Sequence, residues 1–170
     1  MAYEHTISLI GFPGSGKSTV GVLLAKRLGT DFVDTDLLIQ AQEQATLAQI
    51  IARSSHLHLR TIEQQVLLDM PIAHSVISTG GSVVYSESIM QRLAAHSTIV
   101  YLKADLATVE YRISLAPDRG IASSKEQTLG DIYAERIPLY ERWANLTVAV
   151  DSDAPEVIVG HIEEQLAANT

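Results

Sequence analysis

The sequence predicts an α/β protein, a three-layer α/β/α arrangement around a five-stranded parallel sheet, and three observations carry that prediction. The run Gly11-Phe12-Pro13-Gly14-Ser15-Gly16-Lys17-Ser18 fits the pattern G-x-x-x-x-G-K-S, preceded by the apolar strand Ile7–Ile10 and followed by an apolar-rich helix over Thr19–Leu28. Short β-branched runs then alternate with helical periodicities, the mark of βαβ units whose crossover helices cover both faces of a sheet. Finally, 170 residues at 46% apolar content can fill the core of one domain spanning 1–170, and no Pro/Gly/Ser-rich linker divides them.

The first helix ends at Gly29, a suitable C-cap, and Phe32-Val33-Asp34-Thr35 forms a second strand with Asp36 opening the next helix. From Leu37 to Met70 the apolar spacing is helical, with breaks at Ala45-Thr46 and Ser54-Ser55 and a stop at Pro71. Ser75–Ser78 reads as a third strand that runs into Thr79-Gly80-Gly81-Ser82. Ser86 caps a helix to Ala95, and Thr98–Leu102 is a fourth strand. Asp105 caps a helix to Ser114, Leu115–Ser124 is a loop, and a helix bent at Pro138 continues to Ala144. Leu146–Val150 is the last strand, and Pro155 stands near N1 of the closing helix, which runs through Leu166.

Charge and composition exclude several classes. A formal net charge of −8 argues against a general nucleic-acid binder, which needs clustered Lys and Arg. The chain has no cysteine, hence no disulfide framework or thiolate metal site. The start Met1-Ala2-Tyr3-Glu4-His5 lacks a basic leader, and every apolar stretch is too short to span a bilayer. A cytoplasmic monomer, free of membrane and nucleic acid, is expected.

The glycine-rich run carries the strongest chemical signal. A loop that wraps a phosphate needs positive φ and several N–H groups aimed into one concavity, and the helix N-terminus behind it favours negative charge. Gly14, Ser15, Gly16, Lys17, Ser18 and Thr19 are therefore the nucleotide-binding candidates, with Lys17 reaching the outer phosphates and Ser18 holding Mg²⁺. A guanine-reading Asn-Lys-x-Asp is missing, since Leu102-Lys103-Ala104-Asp105 lacks the Asn. No D-x-x-G switch follows the third strand either, and the chain is short for an assembly ATPase. Compact kinases remain.

Asp34-Thr35-Asp36 places two carboxylates beside the loop on opposite sides of a strand, one for Mg²⁺ through water and one for an acceptor hydroxyl. The alternative is a strand-ending turn with Asp36 as helix cap. Arg60 and Glu63, one turn apart, form either a solvated surface pair or part of a site. The six histidines are scattered, with His56 and His58 facing different ways. Trp143 and the tyrosines read as packing and surface residues.

Taken together the chain resembles the shikimate kinases, small enzymes like the P-loop nucleoside-monophosphate kinases in fold, which move the γ-phosphoryl of ATP to a hydroxyl of shikimate. Beyond the loop the resemblance rests on Asp34-Thr35-Asp36, the Arg60 to Glu63 spacing, Ser78-Thr79-Gly80-Gly81, Arg119, and Arg136-x-Pro138-Leu139-Tyr140. It implies that Asp36 binds the acceptor hydroxyls and serves as base, and that Arg60 and Arg136 hold its carboxylate. Gly80 and Gly81 then let it approach the backbone, and Arg119 closes over the phosphates. Arg112 and Pro155 match positions flanking adenine, and Ser18 with Asp34 would serve Mg²⁺. The acceptor helices lie at 36–70 and the lid at 115–125.

Lys17, Arg60, Arg112, Arg119 and Arg136, five of the 12 Lys and Arg residues, would then line one focused anion pocket. The chain departs from the family pattern at Ser55-His56 in place of Gly-Glu, at Leu59 in place of an aromatic, at Ser82 in place of a third glycine, and at Gly120 in place of a lid proline. The last change predicts a looser lid. The departures leave a kinase for another hydroxylated carboxylate, or a nucleotide-binding regulator without turnover, as alternatives.

Overall fold

The apolar run Ile7–Ile10 forms the central strand β1, and every other strand is placed by its distance from it. In the computed structural model, which describes residues 5–116 and 120–169, β1 is joined by β2 (Asp31–Asp34), β3 (Ser75–Ser78), β4 (Thr98–Lys103) and β5 (Leu146–Ala149). All neighbours are parallel, in the order β2-β3-β1-β4-β5, with Ile7 opposite both Val76 and Thr98 and Asp34 opposite Ser78. Strands β1 and β3 are buried at every position, so helices cover both faces, as a parallel sheet requires. Their carboxyl ends, where ligands bind in such sheets, deliver the phosphate loop, Asp34 and Thr79-Gly80-Gly81 to one edge.

The helices are α1 (Lys17–Leu28), α2 (Thr35–Glu43), α3 (Leu47–Arg53), α4 (His56–Asp69), α5 (Glu87–His96), α6 (Leu106–Ser114), α7 (Leu129–Trp143) and α8 (Pro155–Ala168), with a 3₁₀ turn at Val83–Tyr85. Helix α1 packs on β1, β2, β3 and α8, while α5 and α7 contact β4. At Gly21 a Cβ would come within 2.6 Å of the Phe32 ring, so the glycine sets how closely α1 approaches the sheet. The breaks within 37–70 fall where the sequence places them, because Thr46 caps α3 in a reciprocal box with Gln49 and Ser55 caps α4 through the His58 N–H. Arg92 of α5 donates to the carbonyls of Leu67 (2.6 Å) and Met70 (2.9 Å) and finishes the end of α4.

Three local expectations change. Asp34, not Asp36, caps α2, its Oδ1 accepting from the N–H groups of Asp36 (3.0 Å) and Leu37 (3.3 Å), so β2 ends one residue early. Asp36 therefore lies in the first helical turn, and the strand alternation invoked to separate the two carboxylates does not apply. Ser86 precedes α5 without a side-chain cap bond, its hydroxyl meeting that of Ser88 instead. Helix α7 carries Pro138 inside it, as the sequence places it.

Apolar burial is divided unequally. The main core includes Leu9, Leu24, Ile77, Val100 and Ile162, between the sheet and its helices. A smaller cluster, Ile39, Ala45, Ile50, Leu59, Ile62, Val66 and Ala122, lies under α2–α4 and takes in a residue of the 115–125 segment. Among the described residues no helix is long and apolar enough to cross a membrane.

Candidate active site

Gly14 (φ 89°) and Gly16 (φ 91°) take left-handed backbone, and Gly16 is the N-cap of α1, so the loop turns its N–H groups inward as the motif demands. Lys17 is buried, its Nζ donating to the carbonyls of Gly11 (2.7 Å) and Phe12 (3.2 Å) across the concavity. The Ser15 hydroxyl is buried without a hydrogen-bond partner. Ser18 Oγ donates to Asp34 Oδ2 at 2.5 Å. Two hard oxygen donors beside a phosphate loop fit Mg²⁺, which keeps waters and phosphate oxygens as its other ligands. Arg112 of α6 donates to Gly14 O (3.2 Å) and Val150 O (2.8 Å), tying the loop to the end of β5. Pro155 starts α8, as expected. Arg119 lies outside the described residues.

The cleft continues from Gly14, Gly16, Lys17, Ser18 and Thr19 to Asp36, Glu63, Gly80, Gly81, Gly120 and Arg136. Close backbone approach explains both glycines of the third strand end. A Cβ on Gly81 would stand 2.6 Å from Pro13 Cδ in the phosphate loop, and one on Gly80 would run into the Glu63 carboxylate, with Asp36 Oδ1 3.1 Å away. Tyr140 donates to Gly81 O at 2.5 Å and stacks on Tyr101, fixing that loop from α7.

Arg136, on the same face of α7 as Tyr140, is only 1% exposed. Its Nη2 donates to Ala122 O at 2.7 Å, and Arg60 Nη2 donates to the same oxygen at 2.9 Å. Two guanidinium groups from α4 and α7 thus converge on one carbonyl, the arrangement that grips a carboxylate oxygen.

Arg60 and Glu63 are not a surface ion pair. Glu63 lies on the apolar stripe of α4 with Leu59, Ile62, Val66 and Leu67, and it is buried. Burial pushes its carboxyl up to about 7, and Asp36 adds to the rise. The Ser82 hydroxyl, donating at 2.5 Å, opposes it, as do Arg136 and Lys17. Arg60 instead lies over the Tyr85 ring, its Cζ 4.0 Å from the centroid, and burial lowers its pKa.

Sequence reasoning gave Glu63 no role of its own and missed Ser82 and Tyr85 as members of this site. An acid in the middle of an apolar helical stripe was the available signal for Glu63. No local pattern marks Tyr85. Gly120 also acquires a packing reason: a Cβ there would lie 2.7 Å from the Ala48 N and 2.9 Å from Leu47 Cβ, so the glycine lets residues 120–122 dock on α3.

Comparison with known proteins agrees with this geometry. Residues 13–167 match the family described as Shikimate kinase. The chain is 36% identical over 163 residues to a shikimate kinase of Mycobacterium avium, covering 94% of this chain and 92% of that one. It is 33% identical over 162 residues to that of Thermobifida fusca, covering 94% of each. A solved shikimate kinase of Acinetobacter baumannii in complex with shikimate superposes with a TM-score of 0.90 at 28% identity, covering 98% of this chain and 94% of that one. With the family matched along nearly its whole length and the phosphate loop and Arg136 facing one cleft, the chain belongs to the shikimate kinase family.

Proposed function

We propose that the protein transfers the γ-phosphoryl group of ATP to a hydroxyl of shikimate, giving 3-phosphoshikimate for aromatic amino acid biosynthesis. The single observation that carries this reading is the convergence of Arg60 and Arg136 on Ala122 O, at the wall of a cleft that Arg136 and Ala122 line together with Lys17 and Asp36. A carboxylate held there leaves the hydroxyls of the same small molecule facing Asp36 and the phosphate loop. The A. baumannii relative carries shikimate, a molecule of that description.

Phosphoryl transfer asks for position and charge more than covalent chemistry. In this reading Gly14, Ser15, Gly16, Ser18 and Thr19 cradle the phosphates, Lys17 neutralises charge on the outer ones, and Arg112 and Pro155 flank the base. Ser18 and Asp34 would hold Mg²⁺, which would offset charge on the phosphates. Asp36 orients the attacking hydroxyl and accepts its proton as the new P–O bond forms and the bond to the leaving diphosphate breaks. Gly80 and Gly81 admit the acceptor ring, and Arg119 completes the charge around the phosphates. Residues 115–125 exclude water, so that ATP is not simply hydrolysed. We further propose one domain across 1–170, acting as a cytoplasmic monomer.

The test is ADP release by the purified protein with ATP, Mg²⁺ and shikimate, against a control without shikimate and one with chelator. Release that requires shikimate and metal is expected. Equal release with and without shikimate would overturn the reading.

A further inference from the structure

Two like charges stand side by side at the acceptor end of the cleft, and something must hold them there. Among the described residues neither Arg60 nor Arg136 forms an ion pair. The Nε of Arg60 is buried without a hydrogen-bond partner. Glu63, the nearest acid in sequence, is turned to Ser82. Besides the Ala122 carbonyl, both guanidinium groups share Tyr85. Its ring lies 4.0 Å from Arg60 Cζ and 5.3 Å from Arg136 Cζ, measured to the centroid. Its hydroxyl accepts from Arg136 Nε at 3.4 Å and donates to the Glu135 carboxylate.

The support for that ring is rigid. Tyr85 ends the 3₁₀ turn whose Val83 and Val84 are buried, and its N–H donates to Ser82 O at 3.1 Å. Val83 N–H donates to Gly80 O at 3.3 Å, so the turn that carries the ring is continuous with the glycine loop lining the cleft. An aromatic face attracts guanidinium without neutralising it, and the ring itself takes up none of the Nη donors, which meet Ala122 O in this structure. A carboxylate in the same place would compete with the ligand for those donors.

We infer that Tyr85 is a positioning residue for the acceptor: its ring and hydroxyl hold Arg60 and Arg136 convergent on one carboxylate, and Glu135 anchors the hydroxyl. This rests on the proposed function and adds a residue to it. Tyr85 acts only through the arginines, so its effect must vanish when the acceptor has no carboxylate.

The experiment compares wild type, Tyr85→Leu and Tyr85→Phe in the full chain. It uses two acceptors, shikimate and the analogue in which the carboxylate is reduced to a hydroxymethyl group. Thermal melts and the KM for ATP are recorded alongside. Loss of a half-buried cation–π contact to the two arginines predicts a roughly tenfold fall in kcat/KM for shikimate in Tyr85→Leu, with kcat/KM for the alcohol and KM for ATP within about twofold of wild type. Tyr85→Phe, which keeps the ring, is expected to lose about threefold on shikimate and nothing on the alcohol. Equal losses on both acceptors, or none on shikimate, would overturn the inference. Should the leucine variant not fold, the phenylalanine variant decides by the same two ratios. Wild-type protein that ignores shikimate would sink the proposed function rather than the role of Tyr85.

Discussion

The phosphate end and the acceptor end of the cleft are built by different means. The phosphate end is a contiguous run, Gly11 to Ser18, mounted between β1 and α1, both of which sit in the main core. Its donors are mostly backbone, and their directions follow from a few φ angles. The acceptor end gathers Asp36, Arg60, Glu63, Gly80, Tyr85 and Arg136 from four segments, α2, α4, the stretch after β3 and α7, over a small apolar cluster of its own. One half is specified locally and the other by packing, so a substitution at the first removes chemistry while one at the second changes geometry.

The sharpest separation of the halves is Lys17→Ala. It should lower kcat by about 100- to 1,000-fold, the loss of one preorganised charge donor, while the protein stays folded. Retention of wild-type turnover would remove the phosphate loop from the reaction. Arg136→Lys should next raise the KM for shikimate by about 10- to 150-fold, the value of about 1.5–3 kcal/mol for bonds to a charged group, with the KM for ATP little changed. A matched rise in both constants would mean that the two ends are not separable.

Glu63 tests the acceptor half by pH. Its folded pKa, about 7, lies above the unfolded value of 4.5, so the folded state binds more protons between them and stability falls as pH rises through that window. The loss is about 3 kcal/mol at most, and it should appear as a melting temperature that declines from pH 5 to 8. Glu63→Gln should flatten that decline, and parallel profiles would place the titration elsewhere. The smallest effect is expected of Gly120→Ala, whose methyl would meet Leu47 and Ala48. A cost of about 1 kcal/mol on docking of residues 120–122 predicts a roughly fivefold rise in shikimate KM. An unchanged KM would show that this contact does not bear on the acceptor.

What was legible in the sequence follows the same division. Strand β3 and the helix breaks at 45–46 and 54–55 were readable because β-branched runs and Ser/Thr caps act within a few residues. The phosphate loop was readable for the same reason. The capping role passed from Asp36 to Asp34 because a one-residue change in where β2 ends exchanges the two carboxylates, and spacing alone does not fix that end. Ser82 looked like a lost glycine, but its hydroxyl is spent on Glu63, 19 residues away. The aromatic missing at Leu59 has a counterpart in Tyr85, which meets Arg60 from another element. Such contacts depend on how α4, α7 and the turn after β3 meet, which no window of sequence contains.

Ala122 is 5% exposed and belongs to the apolar cluster under α2–α4, while its carbonyl receives both arginines. Any opening of residues 120–122 therefore wets an apolar surface as well as releasing two cations. Closing residues 120–122 from such an opened state carries a negative heat-capacity change, and because apolar burial weakens on cooling, that closure is tuned by temperature as well as by charge.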